Sequence, residues 1–389
     1  MVGSIIFDAD TWAHVPFHFW SVVFFVLGCL VGSFLNVCIH RMPLGQSIVS
    51  PPSHCPHCNY SIPWYLNIPL VTWLYLRGKC ANCGAVISAR YFLVELLTGF
   101  MFLFCWLGAG HISVLLALVQ CVFVGGLIVG TFIDIEHLII PDEITLGGTV
   151  VGFFFSLVVP SMHHTKLSSV SLGASFVGIL VGGGLLYGVS RGGKLLFGRQ
   201  HIDTTSGATL SLLTVLSGRR KTPAGPLARV VFTESFLVVA GQQIPYEDVY
   251  YRQTDTITLT ARRLELCDRC YRDVPVRLTP TKLRIGTEEL NPVEVVYMEA
   301  ETDTLVLPRE AMGLGDVKLM AAIGAFGGWE AVVFSLFLSA IIGIAVQSAL
   351  ILAKKREWSN QLPYVPYIAA AAIIWIFLGQ WWWLGFVPR

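Results

Sequence analysis

Apolar positions in this chain fall in long unbroken runs rather than in the helical or strand alternation of a water-soluble fold. A bilayer hydrocarbon core of roughly 30 Å takes roughly 20 apolar residues in a helix. Runs of this kind lie near 19–39, 91–109, 113–133, 144–160, 171–190, 312–328, 331–353 and 365–386. They predict an α-helical polytopic membrane protein with about eight transmembrane helices. The sixth is the shortest, bracketed by Lys318 and Glu330. Two polar segments interrupt the series, one from about 40 to 90 and one from about 191 to 311.

The second polar segment changes period. Val230-Val231-Phe232, Leu237-Val238-Val239 and Thr256-Ile257-Thr258-Leu259 are β-branched, alternating stretches that predict strands. Phe232 through Tyr251 aligns with Leu278 through Tyr297, and Thr254-Asp255-Thr256 returns as Thr302-Asp303-Thr304 after a two-residue gap. The repeat predicts two similar β units joined by a Cys267–Cys270 linker. The expected organisation is a first helix in 1–40, a small cysteine-bearing domain in 41–90, helices two to five in 91–190, an inserted β-rich domain in 191–311, and helices six to eight in 312–389.

Composition supports this class: 54% of the 389 residues are hydrophobic and 13% charged, against about a quarter charged in soluble domains. A net charge of +1 gives no reason to expect a nucleic-acid partner. The first apolar run has no basic residue before it and no small-residue cleavage site after it, so no cleavable signal is expected. Arg41, Arg77, Lys79 and Arg90 mark residues 40–90 as cytoplasmic, while residues 1–18 carry only Asp8 and Asp10. Alternating spans then place the N-terminus outside and 134–143, 191–311 and Lys354-Lys355-Arg356 inside, with Lys166 as the exception. A full crossing by the sixth run is needed to keep Lys354–Arg356 inside.

Ionisable residues inside spans are costly and mark functional positions. Asp134 sits where the third span meets the cytoplasm. Asp316, in Gly313-Leu314-Gly315-Asp316, opens the sixth. The topology brings both to one depth on one face. Two close carboxylates do not both ionise readily, so one can keep a proton as general acid while the other activates water. Glycines beside Asp316 would let a substrate backbone approach. The plainer reading makes Asp134 an interfacial helix end. Glu136, Asp142 and Glu143 make 134–143 acidic, either as a solvated face or as an attraction for a basic peptide. For Asp142, capping of the fourth span is favoured.

Six of ten cysteines form C-x-x-C pairs. Cys55, Cys58, Cys80 and Cys83 form two knuckles 21 residues apart, slightly wider than a usual zinc ribbon, and suit a tetrahedral structural Zn²⁺. His54 and His57 are bystanders to a site already closed by four sulfurs. Cys267 and Cys270 have no second pair to complete such a site and read as structural or incidental. Cys29, Cys38, Cys105 and Cys121 lie in apolar runs, as packing residues.

Together these motifs resemble the bacterial type IV prepilin peptidases, which are Gly-x-Gly-Asp membrane aspartic proteases. Gly32-Ser33-Phe34-Leu35-Asn36-Val37 before Arg41 and Pro43 resembles their N-terminal signature. The four-cysteine segment, with Asn67-Ile68-Pro69, Leu76-Arg77-Gly78, Arg90-Tyr91 and Val94-Glu95-Leu96, resembles their zinc-binding domain. Ile133-Asp134 through Ile140-Pro141-Asp142 and Met312 through Leu319 resemble the two catalytic motifs, the second carrying Gly313, Gly315 and Lys318 beside Asp316. Leu362-Pro363-Tyr364-Val365-Pro366-Tyr367 is a degraded form of the C-terminal motif.

The resemblance implies catalytic roles for Asp134 and Asp316, with Glu136 and Lys318 in support. It implies cleavage of prepilins or type II secretion pseudopilins after a short basic leader, at the cytoplasmic face of the bacterial inner membrane. It also implies methylation of the new N-terminus from S-adenosylmethionine. Most relatives have a short loop where this chain has 191–311. No strand-anchored G-x-G-x-x-G turn is present, and Gly182–Gly184 read as helix packing, so any methyl-donor site would be built from membrane helices and cytoplasmic loops. The competing reading is a membrane transporter or assembly scaffold. Transport would favour inverted repeats and mid-membrane acids, and neither is evident.

Overall fold

The computed structural model describes residues 16–197, 199–203, 208–209, 228–233, 235–239, 242–250, 255–295, 297–308, 313–353 and 363–379. Lys354, Lys355 and Arg356 of the orientation reading, Tyr251 and Thr254 of the repeat, and Met312 and Leu362 of the motifs lie outside them. The chain divides into two compact units. One takes the residues up to Tyr187 and from Leu314 onward, and the other is Gly188–Gly313.

The first unit is helical. Its elements are α1 (Phe17–Arg41), α2 (Ala89–Ala109), α3 (Val114–His137), α4 (Asp142–Val158), α5 (Ser168–Phe197), which runs on into the second unit, α6 (Leu314–Leu352) and α7 (Val365–Ile374). Local chemistry sets the ends. The Ser88 and Ser113 hydroxyls accept first-turn amides of α2 and α3. Leu138 stops α3 in the left-handed region at φ 55°, its N–H donating to the Asp134 carbonyl at 3.0 Å. Among the described residues, five helices are long and apolar enough to cross a bilayer: α1, α2, α3, α5 and α6. Helix α4, with 17 residues, and the Val365–Gly379 segment are shorter.

Helix α6 accounts for two of the expected runs. Its 39 residues break at Gly328, which takes φ 75° and ψ −178°. The first arm, 314–327, is about 21 Å long, less than the roughly 30 Å hydrocarbon core. It is also the better buried arm, with Leu319, Met320, Ala322, Ile323 and Ala325 enclosed. The arm is packed backbone to backbone: a Cβ on Gly324 would lie 2.0 Å from the Gly178 carbonyl oxygen, and one on Gly182 would lie 2.3 Å from that of Met320. The Ser175 hydroxyl donates to the Ala325 carbonyl at 2.9 Å, next to the break. Gly182 therefore serves close helix packing, as expected. Helices α1 and α2 meet in the same manner, a Cβ on Gly28 falling 2.6 Å from the Thr98 carbonyl oxygen.

The second unit is one antiparallel sheet. Its strands are β1 (Arg199–Asp203), β2 (Ala208–Thr209), β3 (Ala228–Phe232), β4 (Phe236–Val239), β5 (Gln242–Pro245), β6 (Ile257–Leu266), β7 (Cys270–Leu278), β8 (Leu283–Ile285), β9 (Glu288–Leu290) and β10 (Met298–Pro308). The order is β5-β4-β3-β10-β6-β7-β8-β9, with β1 on β10 and β2 on β1. Residues 228–266 and 270–308 trace the same path: three strands, a helical turn (Tyr246–Val249 or Pro292–Glu294) and a long strand. Exchanging β3, β4, β5 and β6 for β7, β8, β9 and β10 reproduces the order, with the Ala261–Thr302 pair at the centre.

The two hairpin turns match in detail. The Thr233 hydroxyl donates to the Phe236 carbonyl at 2.8 Å, and that of Thr279 to the Lys282 carbonyl at 3.0 Å. The halves do not stand side by side on a linker. Each long strand pairs with the first strand of the other half, and Cys267–Arg269 form the turn of the β6–β7 hairpin. One core results, containing Phe232, Leu237, Val239, Ile257, Leu278, Leu283, Ile285 and Leu305.

Candidate active site

Asp134 lies in the last turn of α3 and is 6% exposed. Its Oδ2 accepts the backbone N–H of Val365 at 3.0 Å. Val365 opens α7, whose first amides have no partner within the helix, and Pro366 suits that first turn. The Asp134 carboxylate thus caps a helix that starts 231 residues further along the chain. Tyr364 anchors the same end, its hydroxyl 3.0 Å from that of Ser339 on the second arm of α6.

Asp316 stands in the first turn of α6 and is half-buried. It is close enough to Asp134 for the two carboxyl groups to interact electrostatically. The connection 138–141 holds the amino end of α6 in place. A Cβ on Gly315 would lie 3.1 Å from Ile140 Cδ1, so the space that glycine leaves is taken by Ile140 rather than kept open for a substrate backbone. Lys318 Nζ pairs with Asp142 Oδ1 at 2.6 Å. The N-cap of α4 is Pro141, with Asp142 in the first turn. Asp142 is therefore not the cap that its position after Pro141 suggested. It favours the helix dipole and ties α4 to α6. Gly313 is exposed just ahead of α6.

The acidic stretch is already partly neutralised. Glu136 forms an ion pair with Arg90 at the amino end of α2, and Asp142 is held by Lys318. Glu143 is exposed. A buried carboxylate that sequence reasoning left without a role is Glu95, 8% exposed on α2. Its Oε2 accepts the Leu70 amide at 2.8 Å and its other contact is the Ser33 side chain, so it fastens the four-cysteine segment to the helices.

Cys55, Cys58, Cys80 and Cys83 bring their sulfurs within 4.8 Å of one another. The Cys55–Cys83 and Cys58–Cys80 separations are 3.8 and 4.0 Å. A tetrahedron with Zn–S of about 2.3 Å has edges of about 3.8 Å. The knuckles match: the Cys55 and Cys80 amides donate to the Tyr60 and Ala85 carbonyls at 3.0 and 2.8 Å, and Asn59 and Gly84 both take positive φ. Backbone N–H groups of Cys83 and Asn82 pull the Cys80 thiol down to about 6, toward the thiolate that a metal takes. The donor set fits a tetrahedral metal ion such as zinc. Cys267 and Cys270 are exposed in their hairpin, while Cys29, Cys38, Cys105 and Cys121 are buried among the helices.

A cavity of about 290 Å³ lies between α1 and the four-cysteine segment, lined in part by Ser33, Phe34, Arg41, Ser53 and Asn67. Arg41 braces its wall, donating to the Ser47 and Pro51 carbonyls at 3.0 and 2.8 Å.

Comparison with known proteins places this arrangement. Residues 26–109 match the bacterial peptidase A24 N-terminal domain, and residues 121–208 and 295–348 match the type IV leader peptidase family. The break in the second match falls within the sheet unit. A prepilin leader peptidase/N-methyltransferase of Myxococcus xanthus is 49% identical over 133 residues, 34% of this chain and 39% of that protein. One from Aeromonas hydrophila is 26% identical over 392 residues, 93% of this chain and 92% of its own length. One from Dichelobacter nodosus is 33% identical over 226 residues, half of this chain and 75% of that protein. No solved structure matches the chain. Asp134 under a helix end with Asp316 near it, a four-cysteine cluster earlier in the chain and these relatives lead to one assignment: the chain belongs to the type IV leader peptidase family.

Proposed function

We propose that this protein is a membrane aspartic endopeptidase that removes the short basic leader from type IV prepilins or type II secretion pseudopilins and N-methylates the new terminus. The observation that carries the reading is the pairing of Asp134 and Asp316. They come from separate helices of one unit, and the Asp134 carboxylate is capped into the amino end of a third. One carboxylate takes a proton from water as the water oxygen bonds to the scissile carbonyl carbon. The other gives its proton to the carbonyl oxygen. Collapse of the gem-diol breaks the C–N bond, delivers a proton to the leaving amine and returns the pair to one shared proton.

In the same reading the protein is a multi-pass protein of the bacterial inner membrane with eight spans. Its N-terminus is outside, and the four-cysteine and sheet units are cytoplasmic. The first arm of α6 is a short, protein-buried passage rather than a lipid-exposed span, a setting in which sub-bilayer length is tolerated. Zn²⁺ on Cys55, Cys58, Cys80 and Cys83 would brace the cytoplasmic segment. S-adenosylmethionine is the second substrate, and the cavity beside Ser33 and Asn67 has the mixed helix-and-loop build its site requires. A transporter or scaffold is not favoured, because the family matches cover the helices that carry both aspartates.

The test is cleavage of a prepilin by purified protein in detergent or liposomes. Asp134→Asn and Asp316→Asn should each abolish it, and the double variant should be no worse than either. Normal cleavage by either single variant would remove the aspartic mechanism.

A further inference from the structure

The two aspartates are not equivalent, and their surroundings divide the work between them. An amide N–H can only donate a hydrogen bond, and an oxygen that accepts it is best left unprotonated. Asp134 takes such a bond from Val365 at 3.0 Å. Among the described residues no hydrogen bond to the Asp316 carboxyl is made; the titratable groups that face it are Asp134 and Tyr364, whose hydroxyl is on Ser339. With one proton to share, the pair keeps it on Asp316.

The donor is rigidly mounted. Pro366 follows Val365 in the first turn of α7, and the Tyr364 hydroxyl is fixed on Ser339 at 3.0 Å. Val365 itself is fully enclosed, its side chain against Gly130 one turn before Asp134. The Val365 amide meets Oδ2 of Asp134, and the backbone N–H of the preceding Tyr364 donates to the same carboxylate.

We propose that the backbone amide of Val365, held by the Tyr364–Ser339 bond, is the positioning group that makes Asp134 the water-activating base and leaves Asp316 as the acid. This rests on reading the two aspartates as the cleaving pair. In the step, the water proton passes to the Asp134 carboxylate while the Asp316 proton passes to the carbonyl oxygen of the substrate. The Asp134 proton then goes to the leaving nitrogen as the C–N bond breaks, and the gem-diol returns a proton to Asp316.

The experiment deletes the N–H and little else. The α-hydroxy acid analogue of valine, 2-hydroxy-3-methylbutanoic acid, placed at 365 by nonsense suppression replaces the amide with an ester of the same shape, and V365P removes the N–H genetically together with the valine side chain. With a purified prepilin, both should lower kcat by about tenfold or more while KM stays within about twofold, the pattern of a lost transition-state interaction. The acid limb of the pH–rate profile should shift as well, since the amide governs ionisation of the base. Tyr364→Phe should show a smaller kcat loss of the same kind. A full-rate ester protein, or a kcat loss with an unmoved acid limb, would overturn the assignment. Cleavage by Asp134→Asn or Asp316→Asn would instead overturn the reading beneath it, and the two failures are told apart by those variants alone.

Discussion

The helical unit and the sheet unit both depend on contacts between residues far apart in sequence, but they fill those contacts with different things. In the helical unit the closest meetings are glycine against backbone, as where Gly324 meets Gly178 and Gly182 meets Met320. The sheet unit instead meets through large side chains, with Leu237, Leu283, Ile257 and Leu305 at its centre. Backbone contacts leave nothing to compress, so an added carbon there must displace a helix, whereas a truncated side chain in an apolar core costs stability but displaces no element. The unit that holds the aspartates should therefore be intolerant of small additions. The unit without them should tolerate large losses.

The sharpest way to break this contrast is Gly324→Leu. A Cβ there would lie 2.0 Å from the Gly178 carbonyl oxygen, so α5 must leave the arm that carries Asp316 eight residues earlier. Overpacking against backbone costs at least the ~1–3 kcal/mol seen in protein cores. Cleavage should fall by about a hundredfold or more, because small displacements at a reacting centre cost that much. Gly173→Ala on α5, the helix that Gly324 meets, is the control: a Cβ there meets nothing within 4 Å, and activity should be unchanged. Equal losses in both would show that the helical unit responds to any added carbon, not to this contact.

Much of this contrast was legible in the apolar pattern. The break at Gly328 falls at the end of the sixth run, and the four cysteines come together as their spacing implied. The partners were not legible. Val365 meets Asp134 through a backbone amide, which no side-chain motif announces, and across 231 residues. Asp142 looked like a cap because it follows Pro141, but Pro141 holds that position and a lysine from α6 takes the carboxylate. Glu136 looked free to attract a basic leader until Arg90, from the start of α2, was found on it. In the sheet unit the repeat showed in matched positions such as Leu237 with Leu283. The interleaving of the halves did not, because strand order is a property of pairing and not of alternation.

A second prediction concerns the cysteines, where a middling effect is expected. Loss of Cys80, through Cys80→Ser, removes one of four sulfurs within 4.8 Å. Metal content should fall from about one Zn²⁺ per chain, because a three-sulfur site does not close the tetrahedron. The 41–88 segment should become open to proteases, since metal and fold are coupled. Cleavage should drop by about tenfold, within the range of lost metal-site support, since Asp134 and Asp316 lie on other elements. Metal analysis of freshly reduced protein decides it. The Cys267→Ser, Cys270→Ser protein should keep its full metal content, because that hairpin lies in the other unit.

The smallest effect on cleavage should come from the most drastic change, removal of the sheet. Strand β1 pairs with β10 so that Arg199 lies opposite Pro308, and antiparallel partners have Cα atoms about 5 Å apart. The sheet therefore enters and leaves at one point, and a short Gly/Ser linker can replace 199–308 without spanning any distance. The type IV leader peptidase match itself stops at 208 and resumes at 295. Cleavage of a generic prepilin should stay within about twofold, because no residue of the proposed chemistry is deleted. A milder version keeps the sheet and weakens it: Leu283, 1% exposed, should cost about 2–5 kcal/mol when truncated to Ala. Its twin Leu237→Ala, fully buried at the matching position, should cost a similar amount. Thermal unfolding of the isolated segment would measure both, and cleavage by the full chain should follow neither. If cleavage instead declines in step with sheet stability, the sheet positions the amino end of α6 and with it Asp316. The contrast between a chemical unit and a tolerant one would then give way to a single enzyme built from both.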